Sequence, residues 1–370
     1  MNTHHEIYRR TDRYAGWPAN YGMWVWDNEI VLLFTSGYPD PNGGFHARDR
    51  NHPLVTMQAR STDGGNSWSV TEAPLRFGTG LGTHEHMNQA IVDSLDTVKF
   101  ESSSDTDFSD PNLAVMCGKT GLTAGSKSWF YTSVDRCRTW SGPFEIPMFD
   151  QLGIAARTDW IVESAESATL LLTATKPDGG EGRVFACRTE DGGKKFRFLS
   201  WINSAPKGYE IMPSSVQLTD GSILTTVRCR GGRRDDCWID LYKSAGDAKT
   251  WEYLGRPVPD TGDGGNPGSL VELNDGRLVI TYGSSKIPYG IFAVISEDHG
   301  ISWSDPIVLR ESFGNHDIGY TRSVIRSDSK LVTAYYVNDD PDGERFIEAT
   351  ITDFGSVSYT HLTLPTIYSV

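Results

Sequence analysis

The sequence predicts an all-β chain folded as a six-bladed propeller, on three observations: an octapeptide present in five copies, a second apolar repeat near most of them, and six strand-rich units along the chain. The octapeptide reads STDGGNSW to Trp68, SVDRCRTW to Trp140, TEDGGKKF to Phe196, SAGDAKTW to Trp251 and SEDHGISW to Trp303. Four copies share the frame Ser/Thr-x-Asp-x-x-x-x-Trp/Phe, and in the fourth Asp247 falls one place later. The aspartates Asp63, Asp135, Asp191, Asp247 and Asp298 stand 72, 56, 56 and 51 residues apart, as one supersecondary unit per copy requires.

Each octapeptide adjoins a β-type run such as VTMQARS, GRVFACRT or YGIFAVIS. A short Asp side chain accepting from turn amides, a Gly or small residue at positive φ and an aromatic sealed against the sheet describe a hairpin. These aspartates are therefore read as structural. The second repeat, DNEIVLLF, SATLLLTAT, DGSILTTVR, DGRLVITYG and DSKLVTAYY, is a polar turn feeding an apolar strand. Together the two repeats describe four-stranded blades beginning near Gly16, Asp110, Ala155, Gly208, Gly264 and Asp317. The sixth has three strands and no octapeptide. The segment HEIYRR, His5 to Arg10, has no partner of its own, so it is expected to complete that blade against Phe346 to Ile351 and close the ring. Residues 1–355 are read as one propeller and 356–370 as a tail with no assigned structure.

Composition excludes several functions. With 34 Lys and Arg against 48 Asp and Glu, the formal net charge of −14 opposes a nucleic-acid partner. No window of 18 apolar residues and no apolar N-terminal core suggest a membrane span or a leader, so a cytoplasmic protein is expected, or a secreted or periplasmic one should the N-terminus be incomplete. Five cysteines without ligand spacing read as buried thiols, with Cys229 and Cys237 candidates to face each other across a hairpin. His84, Glu85 and His86 invite a metal reading but lack a third ligand by spacing. An inter-blade loop is expected there, and no metal or other cofactor.

The chemistry rests on two longer segments. GYEIMPSSVQLTDGSILTTVRCRGG, Gly208 to Gly232, and DIGYTRSVIRSDSKLVTAYY, Asp317 to Tyr336, together with the Asp-box hairpins, resemble the sialidase superfamily of exo-glycosidases from about residue 5 to 350. The resemblance implies a tyrosine nucleophile at Tyr320, its activating glutamate at Glu210, and one arginine of a carboxylate-gripping triad at Arg228. A phenol suits a substrate whose own carboxylate would repel a carboxylate nucleophile, and an arginine fork suits a carboxylate. The blade-one arginine of the family is replaced by Gly16 in AGWPAN, and no arginine stands in YGSSKIPYGIFAV. Arg48, Arg50, Arg157 and Arg322 are candidates to supply the missing charge. For the acid/base, Asp49 in the loop Gly37 to Pro53 occupies the family's place, with Asp40, Asp159 and His46 as alternatives.

These residues predict an exo-glycoside hydrolase removing a terminal acidic sugar, sialic acid or a relative, from a carbohydrate partner. Two other functions compete: a non-catalytic glycan-binding propeller whose clamp has eroded, and a polysaccharide lyase using Tyr320 as base on a uronate.

Overall fold

The computed structural model describes residues 2–42, 44–52, 54–75, 100–101 and 104–355. Its strands form six separate antiparallel sheets arranged as the blades of a propeller. β1 (Thr3–Tyr8) belongs to the last blade. The first blade holds β2 (Tyr14–Gly16) and β3 (Gly22–Trp26) on the inner side of β4 (Glu29–Gly37), followed by β5 (Val55–Ser61) and β6 (Ser69–Glu72). β7 (Ala114–Lys119), β8 (Ser128–Ser133) and β9 (Ser141–Ile146) make up the described part of the second. The third runs from the inner β10 (Trp160–Val162) through β11 (Ala168–Ala174) and β12 (Arg183–Thr189) to β13 (Arg197–Trp201). β14 (Tyr209–Gln217), β15 (Ile223–Arg230), β16 (Cys237–Ser244) and β17 (Glu252–Val258) form the fourth. β18 (Gly268–Glu272), β19 (Leu278–Ser284), β20 (Gly290–Ser296) and β21 (Ile307–Glu311) form the fifth. The sixth is β22 (Gly319–Ile325), β23 (Leu331–Val337), β24 (Phe346–Thr352) and, from the other end of the chain, β1.

The ring closes as the unpartnered N-terminal segment requires: Glu6 pairs with Glu348 and Tyr8 with Ile347, antiparallel. Two expectations need correction. The octapeptide hairpins join the third and outer strands of a blade, so β8 and β9 hold those places in blade two and β7 the second place. No described residue near Asp110 supplies an innermost strand. Cys229 and Cys237 do not face each other, because the ladder pairs Cys229 with Trp238 and Arg230 with Cys237, putting the two thiols on opposite faces. All five thiols are free and buried. His84, Glu85, His86 and the tail 356–370 lie outside the described residues. Among the described residues no group of three or more His, Cys, Asp or Glu could hold a metal ion, and no helix is long and apolar enough to cross a membrane.

Apolar side chains meet between neighbouring blades, and the described residues form six buried clusters, one at each of the six interfaces. Val227 and Tyr242 pack on Leu171 and Val184 between blades four and three, and Val332 and Ile347 pack on Ile30 and Phe34 where blade six meets blade one. The inner strands present a different problem, since their backbone N–H groups face the channel without a sheet partner. Short polar side chains answer it. Asp159 Oδ1 accepts from Ser215 N (2.9 Å), Ser214 Oγ from Leu270 N (3.0 Å) and Ser269 Oγ from Ser323 N (3.0 Å), linking blades three to four, four to five and five to six. Thr158 Oγ1 accepts from Cys117 N of blade two (3.0 Å).

The hairpin aspartates hold turns in separate blades. Asp63 accepts from Ser61 Oγ (2.8 Å), the amides of Asn66 and Ser67 (3.1 and 2.9 Å) and Ser67 Oγ (2.6 Å), and Trp68 Nε1 donates to Gly65 O (3.0 Å). Asp135 and Asp298 repeat the arrangement. Asp247, out of frame, accepts from Lys249 N instead (3.0 Å). The hydroxyl and amide of Ser67 lead the bonds that hold the Asp63 carboxyl down at about 2. A carboxyl more acidic in the fold than in the unfolded chain stabilises above its unfolded pKa and loses that effect as pH falls through the folded value. Asp63→Ala is expected to lower Tm by roughly 1–3 °C at pH 7. In thermal melts the gap to the parent protein should narrow as pH falls from about 4 to about 2, and a gap independent of pH would refute this role.

Candidate active site

The starts of the inner strands converge at one mouth of the channel, where a cavity of about 300 Å³ is lined by Tyr320, Arg228, Arg230, Tyr209, Ile211, Arg157, Glu181, Arg234, Leu122 and Gly264, with Phe45, His46, Arg48 and Arg50 reaching over it from the blade-one loop. Six arginines and one carboxylate among these lining residues make the mouth cationic on a protein of net charge −14.

Two bulges shape its floor. Between Ile211 paired with Arg228 and Ser214 paired with Thr226, β14 carries one residue more than β15. β22 does the same between Gly319 paired with Tyr336 and Arg322 paired with Ala334. The bulged residues, Met212 (φ 54°) and Tyr320 (φ 50°), sit in the left-handed region, a strained conformation for side-chain-bearing residues that is common where a strand re-aims a functional group. Both bulged side chains meet Arg228, whose Nη1 donates to Tyr320 Oη (2.9 Å) and lies 3.3 Å from Met212 Sδ. Arg228 Nη2 donates to Gly264 O (2.6 Å), which also receives Tyr209 Oη (3.0 Å). Burial alone would depress the Arg228 guanidinium, but Tyr209, Tyr320 and Glu181 hold it raised, so it stays charged. Asn266 Oδ1 accepts from Tyr320 N (3.2 Å) and fixes the bulge. Gly319, at φ 102°, leaves room for it, since a Cβ there would lie 2.2 Å from that same oxygen.

Glu210 is not in this pocket. In β14 the residues before the bulge that share a face with Arg228 are Tyr209 and Ile211, and Glu210 pairs with Cys229 on the other face. Its Oε1 accepts from Asn203 Nδ2 (3.2 Å), beside Tyr242 and Asp240. Without the extra residue Glu210 would share the face of Arg228. The bulge inverts the alternation, so the expected meeting of Glu210 with Tyr320 does not occur.

The other candidates divide. Arg157 lines the pocket and pairs with Glu181 (3.0 Å). Arg48 lies over the Trp17 ring (5.2 Å) and Arg50 stands at the rim, so the blade-one loop brings positive charge to the pocket where the strand at Gly16 carries none. Arg322 is separated from Tyr320 by the bulge and does not line the pocket. It crosses the channel to donate to Thr158 O (2.6 Å), where burial pushes Asp159 up against its attraction. Asp49 caps its own loop, accepting from Asn51 N (2.7 Å) and meeting His52. The Asn51 amide holds its carboxyl low, and it too is absent from the lining. Asp40 accepts from Asn42 N (2.9 Å) in a similar turn.

Two further candidates line the pocket: Glu181, which emerges only from the fold, and His46, one of the acid/base alternatives that the sequence offers. Glu181, in the Lys176 to Gly182 loop, is the carboxylate of the lining; that loop follows the second strand of its blade, as the Gly37 to Pro53 loop does, and this equivalence was its available signal. His46 is held from behind by Asp317, Nδ1 to Oδ1 2.8 Å. Asp317 is fully buried and also accepts from Tyr336 Oη (2.8 Å) and Arg345 Nε (3.0 Å).

No family model matches the chain, and no curated protein matches it in sequence. Solved structures do match in fold. A protein of unknown function from Dyadobacter fermentans aligns at 18% identity and a TM-score of 0.70, over 94% of this chain and 97% of that one. An intramolecular trans-sialidase from Ruminococcus gnavus aligns at 11% and 0.58, over 90% and 94%, and an alpha-L-arabinanase from Penicillium chrysogenum at 12% and 0.58, over 95% and 98%. The chain thus has the sialidase-like six-bladed propeller fold.

The orientation of Glu210 is open to direct test. Burial, with Asp240 adding to it, raises its carboxyl from 4.5 to about 7. The fold therefore favours the protonated acid, and the stabilisation present at pH 4.5 is lost as pH rises through about 7. Glu210→Gln, which keeps the acceptor for Asn203, is expected to stabilise the protein by about 1–3 kcal/mol at pH 8 and to make little difference at pH 4.5, as denaturant unfolding would read. It should leave turnover intact, and loss of turnover would return Glu210 to the machinery.

Proposed function

We propose that this propeller is an exo-acting glycoside hydrolase that removes a terminal acidic sugar, with Tyr320 as nucleophile. The observation that supports it is one pocket joining a strained, bulge-presented tyrosine to a buried arginine beneath a cationic wall. The volume, near the low end of the ~300–1,000 Å³ range of small-molecule sites, suits a terminal residue rather than a length of chain. Arg228, with Arg157, Arg48 and Arg50, supplies the charge for a sugar carboxylate, and a neutral phenol approaches an anomeric carbon beside that carboxylate without repulsion. Glu181, near enough to Arg228 to raise it, is the acceptor for the phenol proton, directly or through one water.

A second reading is favoured by one specific feature. With Glu210 turned away and a guanidinium donating to the phenol oxygen, Tyr320 also suits the phenolate base of a lyase, which removes the proton α to a neutralised uronate carboxylate.

A product-detecting screen over sialosides, uronides and neutral glycosides separates these. The hydrolase reading expects a released acidic monosaccharide and no new double bond. Tyr320→Phe should abolish turnover with a stability change of ~1 kcal/mol, and Arg228→Gln should weaken binding of the acidic product roughly 10–100-fold. Unsaturated products would establish the lyase. Binding of acidic sugars without turnover of any substrate would leave a glycan-binding propeller.

A further inference from the structure

The pocket holds a second group fit for proton transfer, and it is not the Asp49 of the same loop. His46 lines the cavity with 17% of its side chain exposed, and its ring centroid lies 6.3 Å from that of Tyr320, edge to face. Trp17 and Phe45 pack on it at 5.1 and 4.9 Å, also edge to face, so the imidazole is gripped on more than one side. Its Nδ1 is committed to Asp317 behind it. That carboxylate has no exposure and is anchored by Tyr336 and Arg345. Burial works against its charge, yet His46 and Arg345 hold its pKa down. A carboxylate fixed on Nδ1 sets the tautomer and the ring orientation and leaves Nε2 as the ring nitrogen to exchange a proton. A buried charge behind a loop histidine is costly unless fully hydrogen-bonded, and here Asp317 accepts from three side chains.

We propose that His46, positioned by Asp317, is the catalytic proton donor to the departing glycosidic oxygen. The proposal rests on the hydrolase reading above. In the first half-reaction the bond between the anomeric carbon and the glycosidic oxygen breaks, and its electron pair stays on that oxygen. The oxygen takes the proton from Nε2, while Tyr320 Oη bonds to the anomeric carbon and passes its own proton to Glu181. In the second half-reaction water bonds to the anomeric carbon and gives a proton to the neutral Nε2. The bond from carbon to Tyr320 breaks, and the phenolate recovers its proton from Glu181. The sum is glycoside plus water giving free sugar plus alcohol, with His46, Tyr320 and Glu181 restored. Asp49, turned into its own Asx turn, has no step.

The test is His46→Asn, whose amide can still donate to Asp317 in place of Nδ1–H while Nε2 is gone. The substrates are the preferred acidic sugar on an alkyl or saccharide leaving group and the same sugar on a nitrophenyl leaving group, which departs without protonation. The expected result is a fall in kcat/KM of ~10²–10⁴ on the alkyl or saccharide glycoside and of less than about tenfold on the nitrophenyl one, with product affinity and Tm close to the parent values. Equal losses on both substrates, or full activity on both, would overturn the assignment while leaving the hydrolase reading standing. His46→Gln, which cannot reproduce the Nδ1 geometry, serves as a second variant and should show the same split between leaving groups. A wild-type protein that releases no sugar from any acidic glycoside would remove the hydrolase reading and this assignment with it.

Discussion

The structure depends on how the inner strands satisfy their channel-facing backbone. Those N–H groups have no neighbouring strand to bond, and each one left buried and unpaired would cost about 1–3 kcal/mol. Asp159, Ser214 and Ser269 each reach one blade forward and accept such a donor, across intervals of 56, 56 and 54 residues. Because each acceptor sits on a short side chain, the distance between successive inner strands is set closely. The starts of those strands then fall at fixed places around one mouth. The pairing of β1 with β24 completes the ring, so the two ends of the described chain share one sheet.

That rigidity allows strain to be stored at the mouth. Met212 and Tyr320 occupy equivalent bulges in blades four and six, both at positive φ, and both touch the same buried guanidinium. A left-handed backbone at a bulky residue costs on the order of 1–3 kcal/mol and persists only where its surroundings over-determine it. Asn266, Gly319 and the Gly264 carbonyl supply that constraint from blades five and six. The result is a phenol presented to a cavity with a permanent positive charge against its oxygen.

Charge at this mouth is arranged against the protein's overall balance. The cationic lining is assembled from the blade-one loop, the blade-three inner edge and the blade-four hairpin. Long-range steering by the acidic surface would repel an anionic ligand at low ionic strength, so recognition must be local, by desolvated arginine forks. Opposite them, Asp317 holds a negative charge wholly inside the protein behind His46. One pocket therefore offers both a grip for an anion and a supported proton.

The amino-acid sequence by itself determined whatever depends on near neighbours. The turn of Asp63 is closed within a few residues by Ser61, Asn66 and Ser67, so its repeat was legible, and with it the number of blades. The surplus strand at Thr3–Tyr8 had one place to go. Tyr320 and Arg228 were legible because they lie in segments resembling known ones. Tertiary structure decided which side chains share a face. One extra residue at Met212 inverts the alternation of β14 and turns Glu210 away from the pocket that Tyr209 and Ile211 face, and the bulge at Tyr320 likewise parts it from Arg322. Such a bulge is a property of two paired strands, so no count along one of them reveals it. Glu181 and His46 reach the pocket on loops whose paths are set by partners far along the chain: Arg157, 24 residues from Glu181, and Asp317, 271 residues from His46.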